Sequence, residues 1–163
     1  MTTDTSHLVA QLAAKLQSRG LLLTTAESCT GGMIAAACTD LAGSSAWFDR
    51  GFITYSNDAK TQMLGVSSSM IRRHGAVSED VAGAMAGGAV RTIAEAMAGR
   101  PYPVGLTAYV AVAVTGVAGP GGGSDLKPVG TVCFGFSVGG KVETSTQHFT
   151  GDRAAVRAQT RSE

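Results

Sequence analysis

The feature that constrains this chain most is an unbroken apolar segment at residues 109–114, with the sequence YVAVAV. Valine and tyrosine favour extended backbone, and the segment shows no alternation of apolar and polar residues. Both of its faces must therefore be covered by other parts of the protein, as in the central strand of a parallel sheet. Such sheets carry helices on both faces, so the segment predicts an α/β fold.

The chain before this segment begins with a predicted helix and strand. Apolar residues at helical spacing predict a first helix that begins at Thr5 or Ser6 and ends before Gly20. The apolar run at residues 21–26 predicts a buried strand. The residues after it turn into a second helix that we expect to reach about Leu41. This order of elements is typical of α/β proteins.

A second strand and two more helices are predicted before the central segment. The strand covers residues 51–55, and Asn57 is the predicted N-cap of the short helix that follows. Ser78 is the predicted N-cap of a long helix with two acidic residues in its first turn, where the helix dipole favours them. Its apolar face is formed by Val81, Met85, Ala89, Ile93 and Met97.

The end of the chain predicts a hairpin and a last helix. Two strands at residues 129–138 and 141–149 are joined by Gly139 and Gly140, a pair suited to a tight hairpin turn. Asp152 is the predicted N-cap of the last helix. We therefore expect one domain, a three-layer α/β/α sandwich with a mixed, mostly parallel sheet and a C-terminal β-hairpin.

Composition and charge argue against several classes of protein. The 163 residues include 13 basic and 12 acidic side chains, so the net charge of +1 argues against nucleic-acid binding through bulk charge. No apolar stretch of about 20 residues is present, and the first residues do not resemble a signal peptide, so we expect no membrane span. A reducing cytoplasmic location fits an odd number of cysteines without CxxC spacing: Cys29, Cys38 and Cys133. A metal site is not expected from three histidines without paired spacing: His7, His74 and His148.

The first candidate site is the turn that follows the first strand, residues 27–32 with the sequence ESCTGG. Free backbone N–H groups at the start of a helix attract an anion or a developing oxyanion. Gly31 and Gly32 would let a substrate approach the backbone closely. The alternative is a simple capping turn in which Ser28 or Thr30 is the N-cap of the second helix.

The second candidate site follows the second strand, at residues 55–60 with the sequence YSNDAK. If Asn57 is the N-cap, Lys60 lies in the first helical turn, where the positive end of the helix dipole lowers the pKa of an amine. Such a lysine is able to serve as a general base towards a serine. The alternative is a solvated lysine on the protein surface.

The third candidate site is residues 115–124, with the sequence TGVAGPGGGS, in the glycine-rich loop at residues 115–128 that directly follows the central segment. The amides of Thr115, Gly116 and the glycines that follow are able to cradle a phosphate or to donate to an oxyanion. The loop lacks the lysine and the spacing of a P-loop, and glycine-rich loops are often only connections.

These three sites occur together in a known family. The chain resembles the CinA C-terminal domain family over about residues 5–160, and the motifs stand in the family's order. The matching segments are residues 25–32 (TAESCTGG), 43–48 (GSSAWF), 50–57 (RGFITYSN) with Lys60, 74–79 (HGAVSE), 115–120 (TGVAGP), 127–131 (KPVGT) and 151–153 (GDR). The resemblance implies an α/β/α fold, commonly dimeric or a higher homo-oligomer. It also implies an enzyme that hydrolyses the carboxamide of nicotinamide mononucleotide to nicotinic acid mononucleotide and ammonia.

The resemblance assigns roles to particular residues. Ser28 would be the nucleophile, Lys60 its general base and Tyr55 a supporting hydroxyl. Backbone N–H groups near Cys29 and Thr30, or at Thr115 and Gly116, would stabilise the oxyanion. Arg153 is the candidate for the substrate phosphate, which a guanidinium grips with two hydrogen bonds. The substrate is a small nucleotide, and the scheme needs neither a metal nor an organic cofactor.

Two alternatives to this scheme stay open. Glu27, Lys60 and Cys29 are the residue types of the Glu-Lys-Cys triad in nitrilase-type amidases, and a thiolate is a stronger nucleophile than a serine hydroxyl. The chain could also be a non-catalytic interaction domain associated with competence and DNA damage. The presence of Ser28, Tyr55 and Lys60 together favours the enzyme.

The last predicted helix is shorter than in relatives, which continue it with further apolar turns. We expect a shortened helix to leave part of the sheet uncovered, or to be compensated by dimerisation.

Overall fold

The computed structural model describes residues 3–163; Met1 and Thr2, the first residues of the predicted domain, lie outside the described residues. The helices are α1 (Thr3–Ser18), α2 (Met33–Thr39), α3 (Asn57–Leu64), α4 (Ser68–His74), α5 (Glu79–Ala96) and α6 (Arg153–Ser162). The strands are β1 (Leu21–Glu27), β2 (Phe48–Ile53), β3 (Ala108–Gly116), β4 (Thr131–Val138) and β5 (Lys141–His148).

The five strands of the described residues form one sheet in the order β2-β1-β3-β4-β5. β1 pairs in parallel with both β2 and β3, whereas β4 is antiparallel to both β3 and β5. Four strands therefore run in one direction, and β4 alone runs in the other. This arrangement confirms the mixed, mostly parallel sheet with a C-terminal hairpin, and it places the apolar segment of β3 in the middle of the sheet.

Helices cover both faces of the sheet, which gives the three predicted layers. α3, α4 and α5 pack on one face, where β1 and β3 present small residues such as Ala26 and Ala113. α1 and α2 pack on the opposite face against Leu23 and Val110. α6 packs on that second face nearer to β4, against Val114. The fully apolar pattern of β3 is explained by this cover on both sides.

Two glycines allow the α5 layer to approach its neighbours closely. A Cβ atom at Gly88 of α5 would lie 2.1 Å from the carbonyl oxygen of Leu64 at the end of α3. A Cβ atom at Gly135 of β4 would lie 2.2 Å from the carbonyl oxygen of Ala82 in α5. Real Cβ contacts are never this short, so both positions require glycine.

Several helix boundaries differ from the predictions. α1 begins at Thr3, so Thr5 and Ser6 lie inside the helix; the Thr5 hydroxyl instead contacts that of Ser162 in α6 at 3.0 Å. Ser56 and not Asn57 is the N-cap of α3, because its Oγ accepts from the N–H of Ala59 at 3.0 Å. The predicted N-caps Ser78 and Asp152 are confirmed.

The observed bounds of β2 and α2 also agree only in part with the predicted ones. β2 begins three residues before the predicted start and ends at Ile53, so Thr54 and Tyr55 leave the strand. α2 ends at Thr39, before the predicted Leu41. The hairpin turn is confirmed, since Gly139 and Gly140 both have positive φ angles, 59° and 79°, as a type I′ turn requires.

Part of the sheet next to α6 is exposed to solvent. An apolar groove of about 400 Å³ lies between α1 and α6, and its floor includes Leu21, Phe136 and Val138. Among the described residues, no helix combines the length and the apolar character that crossing a bilayer requires.

Candidate active site

A pocket of about 240 Å³ lies where the carboxyl ends of β1, β2 and β3 meet. The backbone hydrogen bonds of the sheet continue for one residue beyond the strands. The N–H of Ser28 donates to the backbone carbonyl of Val114 at 3.1 Å, and the N–H of Thr54 donates to the backbone carbonyl of Glu27 at 2.9 Å. Parallel strands end at the same edge, so the three predicted candidate sites come together here. The pocket is lined by Ser28, Cys29, Tyr55, Asn57, Lys60, Ala76, Val77, Thr115, Gly116, Ala118 and Arg153.

A hydrogen bond between two buried side chains of this pocket joins Ser28 and Lys60. The Lys60 ammonium nitrogen, Nζ, lies 3.0 Å from Ser28 Oγ. Lys60 is 1% exposed and Ser28 is 8% exposed, so the pair is buried although it opens to the pocket. The structure therefore brings the predicted nucleophile and the predicted base within hydrogen-bond distance.

Two backbone carbonyls fix the amine of Lys60. Nζ donates to the carbonyl oxygen of Thr54 at 3.1 Å and to that of Tyr55 at 3.4 Å. A neutral amine has two N–H donors and one lone pair. If the two carbonyls take both donors, the lone pair is directed at the hydroxyl of Ser28, which is the arrangement of a general base.

Burial lowers the pKa of Lys60 below its ordinary value, and the nearby Cys29 opposes this effect. The direction agrees with the prediction, but the cause is desolvation rather than the helix dipole that the sequence suggested. Lys60 is the fourth residue of α3, and its long side chain passes from the helix start into the protein. The surface lysine of the alternative interpretation is excluded.

The turn after β1 is held by the buried carboxylate of Glu27. Oε1 accepts from the hydroxyl of Thr30 at 2.5 Å and from the N–H of Ile34 at 2.9 Å, and Oε2 accepts from the N–H of Ala35 at 3.0 Å. The N-cap of α2 is Gly32, which has no side chain to accept these bonds. A carboxylate from the preceding strand thus caps α2 and complements the positive end of its dipole. Neither Ser28 nor Thr30 is the N-cap.

The geometry does not favour the Glu-Lys-Cys triad. The carboxylate of Glu27 is engaged by Thr30 and the start of α2. Burial raises the pKa of Cys29 to about 11, so its thiol is protonated at neutral pH. Lys60 Nζ has Ser28 Oγ as its nearest side-chain partner. Serine is therefore the better-placed nucleophile.

Tyr55 and Arg153 form the outer wall of the pocket. Arg153 donates to the Tyr55 hydroxyl at 3.0 Å and to the carbonyl oxygen of Gly119 at 2.7 Å. The Tyr55 hydroxyl contacts Arg153 and not the Ser28–Lys60 pair; it is the Tyr55 carbonyl that meets the pair. Both side chains are exposed, so they are accessible to a substrate that enters from solvent.

Four of the predicted binding residues line the pocket and three do not. Cys29, Thr115, Gly116 and Arg153 line it, whereas Thr30, Gly31 and Gly32 lie outside its wall. The hydroxyl of Thr30 is bound to Glu27. Gly31 and Gly32 have positive φ angles of 60° and 105°, so these glycines serve the tight turn into α2. Within residues 3–163, no three metal-binding side chains group as a metal site would require.

Sequence reasoning missed the contribution of Arg157 and the true role of Glu27. Arg157 of α6 donates from Nε to the carbonyl oxygen of Cys29 at 3.1 Å and from Nη2 to that of Thr30 at 3.3 Å. The contact joins residues more than a hundred positions apart, so local patterns give no signal for it. The only signal is its spacing of four residues from Arg153, which places both arginines on the same face of α6.

Comparison with known proteins agrees with this architecture. A model of the CinA C-terminal domain matches residues 5–163. The chain belongs to the CinA C-terminal domain family. The crystal structure of the competence/damage inducible protein CihA from Agrobacterium tumefaciens superposes with a TM-score of 0.87 and 41% sequence identity. The match covers 99% of this chain and 92% of that one.

Curated relatives in the CinA family carry a functional name. The nicotinamide-nucleotide amidohydrolase PncC of Enterobacter agglomerans is 54% identical over 154 residues, which is 94% of this chain and 86% of the relative. The protein of the same name from Escherichia coli K12 is 49% identical over 158 residues, which is 96% of this chain and 88% of the relative. The similarity therefore extends over nearly the whole domain.

Proposed function

We propose that this chain is a nicotinamide-nucleotide amidohydrolase that converts nicotinamide mononucleotide to nicotinic acid mononucleotide and ammonia through Ser28 and Lys60. The observation that carries the proposal is the 3.0 Å contact between Ser28 Oγ and a buried lysine whose pKa is lowered. Relatives at 49% and 54% identity bear the name of this activity. Both lines of support point to hydrolysis of a carboxamide.

In the acylation step, Ser28 Oγ attacks the carboxamide carbon while its proton passes to Lys60 Nζ. The carbonyl oxygen becomes an oxyanion, for which the N–H of Cys29, a residue of the pocket wall, is the candidate donor. Among the described residues, no backbone carbonyl accepts a hydrogen bond from this N–H. The C–N bond then breaks, and Lys60 returns its proton to the leaving nitrogen, which departs as ammonia. An ester on Ser28 remains.

In the deacylation step, water replaces ammonia. Lys60 takes a proton from the water as its oxygen attacks the ester carbon, and it passes this proton to Ser28 Oγ as the ester bond breaks. The product leaves as a carboxylate with release of one proton. Because every proton passes through Lys60, the amine must be neutral at the start of both steps.

The remaining pocket walls fit the other parts of the substrate. Ala76, Val77 and Ala118 offer an apolar wall for the pyridine ring. Arg153 lies at the outer wall, where its guanidinium is placed to bind the phosphate in exchange for its contact with Tyr55. Tyr55 would then be freed to contact the substrate. The homo-oligomeric state and the cytoplasmic location expected from the sequence also belong to this proposal.

Ammonia release from nicotinamide mononucleotide by the purified chain tests the proposal. We expect turnover that a chelator does not change, and a strong preference for the mononucleotide over the riboside and over free nicotinamide. Equal rates on all three substrates would contradict the role of Arg153. Absence of turnover with and without chelator would shift the interpretation to a non-catalytic interaction domain, and loss of turnover only with chelator would point to a metal.

A further inference from the structure

Arg157 makes an unusual set of contacts for an arginine. In the part of the chain that the structure describes, no carboxylate pairs with it. Its guanidinium is half-buried and donates to two consecutive carbonyl oxygens, those of Cys29 and Thr30, at 3.1 and 3.3 Å. These carbonyls belong to the second and third peptide groups after Ser28, the Cys29–Thr30 and Thr30–Gly31 peptides. These contacts hold the backbone close to Ser28, which an arginine that only faces solvent would not do.

The geometry of the peptide group links these contacts to the reaction. The carbonyl of Cys29 and the N–H of Thr30 belong to the same trans peptide, so they point in opposite directions. The Arg157 contact directs this carbonyl towards α6 and the N–H away from it. Because Arg157 holds the carbonyls of both Cys29 and Thr30, it fixes the orientation of the backbone here, including the adjoining N–H of Cys29, which belongs to a residue of the pocket wall.

We propose that Arg157 is a positioning residue that fixes the backbone of Cys29 and Thr30, so that the N–H of Cys29, a residue of the pocket wall, stabilises the oxyanion formed at Ser28. The inference rests on the proposed function and adds a second role for α6. Arg153 would recognise the ground state through the phosphate, whereas Arg157, one turn further along the helix, would act on the transition state through the backbone. Glu27 also holds this turn, through the hydroxyl of Thr30 and the N–H of Ile34 at the start of α2.

These two roles predict that substitution of Arg157 mainly lowers kcat, whereas substitution of Arg153 mainly raises KM. We expect Arg157→Met to lower kcat about 10- to 100-fold, somewhat less than direct removal of an oxyanion donor, with KM changed less than about threefold. Arg157→Lys keeps the charge without the two-pronged geometry and should fall between Arg157→Met and the parent protein. Arg153→Met should mainly raise KM. Arg161→Met is the matched control, because Arg161 lies one further turn along α6 at the apolar groove and should leave the kinetics unchanged.

A second readout separates this role from a structural one. An analogue of nicotinamide mononucleotide with an aldehyde in place of the carboxamide should form a hemiacetal with Ser28 and so imitate the tetrahedral intermediate. We expect Arg157→Met to weaken binding of this analogue by the same factor as kcat/KM, and millimolar ethylguanidine to restore part of both. Unchanged affinity for the analogue, or a raised KM with unchanged kcat, would overturn the proposal.

An ester substrate distinguishes failure of this inference from failure of the proposed function. Acylation of Ser28 by p-nitrophenyl acetate forms the same kind of oxyanion without a nucleotide, and Ser28→Ala provides its background rate. If the parent protein reacts with the ester and not with the mononucleotide, the substrate assignment fails. In that case slower acylation of Arg157→Met still supports the role of Arg157, and equal acylation rates refute it. A parent protein that reacts with neither substrate refutes both.

Discussion

Two glycine-containing segments follow neighbouring strands at the same edge of the sheet, yet they differ in how they are held. The turn after β1, residues 28–32, is braced by two charged side chains, those of Glu27 and Arg157. The loop after β3 is bound mainly at its two ends, where Val117 exchanges hydrogen bonds with Thr131 and Gly130, and residues 120–126 are exposed.

The contrast shows what marks a reactive turn in this fold. Glycine content is similar in both segments and does not distinguish them. The two segments differ in the charged side chains that hold them, because burying a charged group is costly unless it makes specific hydrogen bonds. Glu27 is 1% exposed, and the three hydrogen bonds that its carboxylate accepts all serve the turn or the helix that follows it. The predictions below test whether activity depends on the braced turn more than on the glycine-rich loop.

The largest effect is expected from the nucleophile in the braced turn. Ser28→Ala should lower the rate of ammonia release by about 10⁴-fold or more, because the variant lacks the group that forms the ester. Cys29→Ala should retain most of the activity, since burial raises the pKa of this thiol to about 11 and keeps it protonated. Steady-state assays of both variants decide between the two nucleophiles. An active Ser28→Ala together with an inactive Cys29→Ala would replace the mechanism.

Lys60→Met should nearly abolish activity and at the same time stabilise the protein. Methionine has a similar length and needs no hydrogen-bond partners, so we expect the melting temperature near neutral pH to rise by about 3 °C. The folded-state pKa of Lys60 lies below the unfolded value, so the folded protein binds fewer protons between the two values, and its stability rises with pH in that window. The variant should lose this slope. Thermal unfolding at several pH values measures it, and a destabilised Lys60→Met would contradict the account.

Glu27→Gln should damage the turn without removing a reacting group. One carboxylate oxygen becomes an NH₂ group, which then faces a donor such as the N–H of Ala35. We expect a loss of about 1–3 kcal/mol in the free energy of unfolding and a fall in kcat of about tenfold. Chemical denaturation and steady-state kinetics measure these effects. Glu79→Gln is a suitable control, because the Glu79 carboxylate likewise accepts hydrogen bonds, from the hydroxyls of Thr144 and Thr146, but lies outside the pocket. Equal kinetic effects of the two variants would argue against a specific role for Glu27.

The smallest effect of all is expected for Gly121→Ala in the exposed glycine-rich loop, and Gly116→Ala at the start of this segment is the variant to compare it with. A Cβ atom at Gly116 would lie 2.7 Å from Val132 Cγ2 and 3.2 Å from Cys29 Sγ, so Gly116→Ala should cost about 1–3 kcal/mol of stability and disturb the pocket. A Cβ atom at Gly121 would meet nothing within 4 Å, so Gly121→Ala should change stability by less than about 1 kcal/mol and leave activity intact. A strong loss of activity in Gly121→Ala would show that the exposed loop matters more than proposed here.

Much of this fold could be predicted from local patterns. The apolar run of β3 gave the central strand, and Ser78, Asp152 and the Gly139–Gly140 pair marked boundaries that the structure confirms. These signals work because periodicity, caps and tight turns depend on neighbouring residues. The prediction of the α2 cap was wrong because the acceptor, the carboxylate of Glu27, lies on the preceding strand and reaches the helix only after folding.

The sequence predicted which residues form the site better than it predicted how they are arranged. Ser28 and Lys60 were identified through resemblance to a family, and the structure places them in contact. The cause of the lowered Lys60 pKa, its burial, is a tertiary property that helical spacing does not reveal. Arg157 was missed because its contacts with Cys29 and Thr30 join opposite ends of the chain.

Direct titration of the Lys60 amine tests the central claim most directly. The chain has four lysines, so ¹³Cε chemical shifts recorded from neutral to alkaline pH, with Lys60→Met for assignment, resolve the amine of interest. We predict that Lys60 titrates well below the other three lysines and that kcat/KM rises with pH around the same midpoint. A Lys60 amine that titrates together with Lys15, Lys127 and Lys141 would contradict its role as a general base.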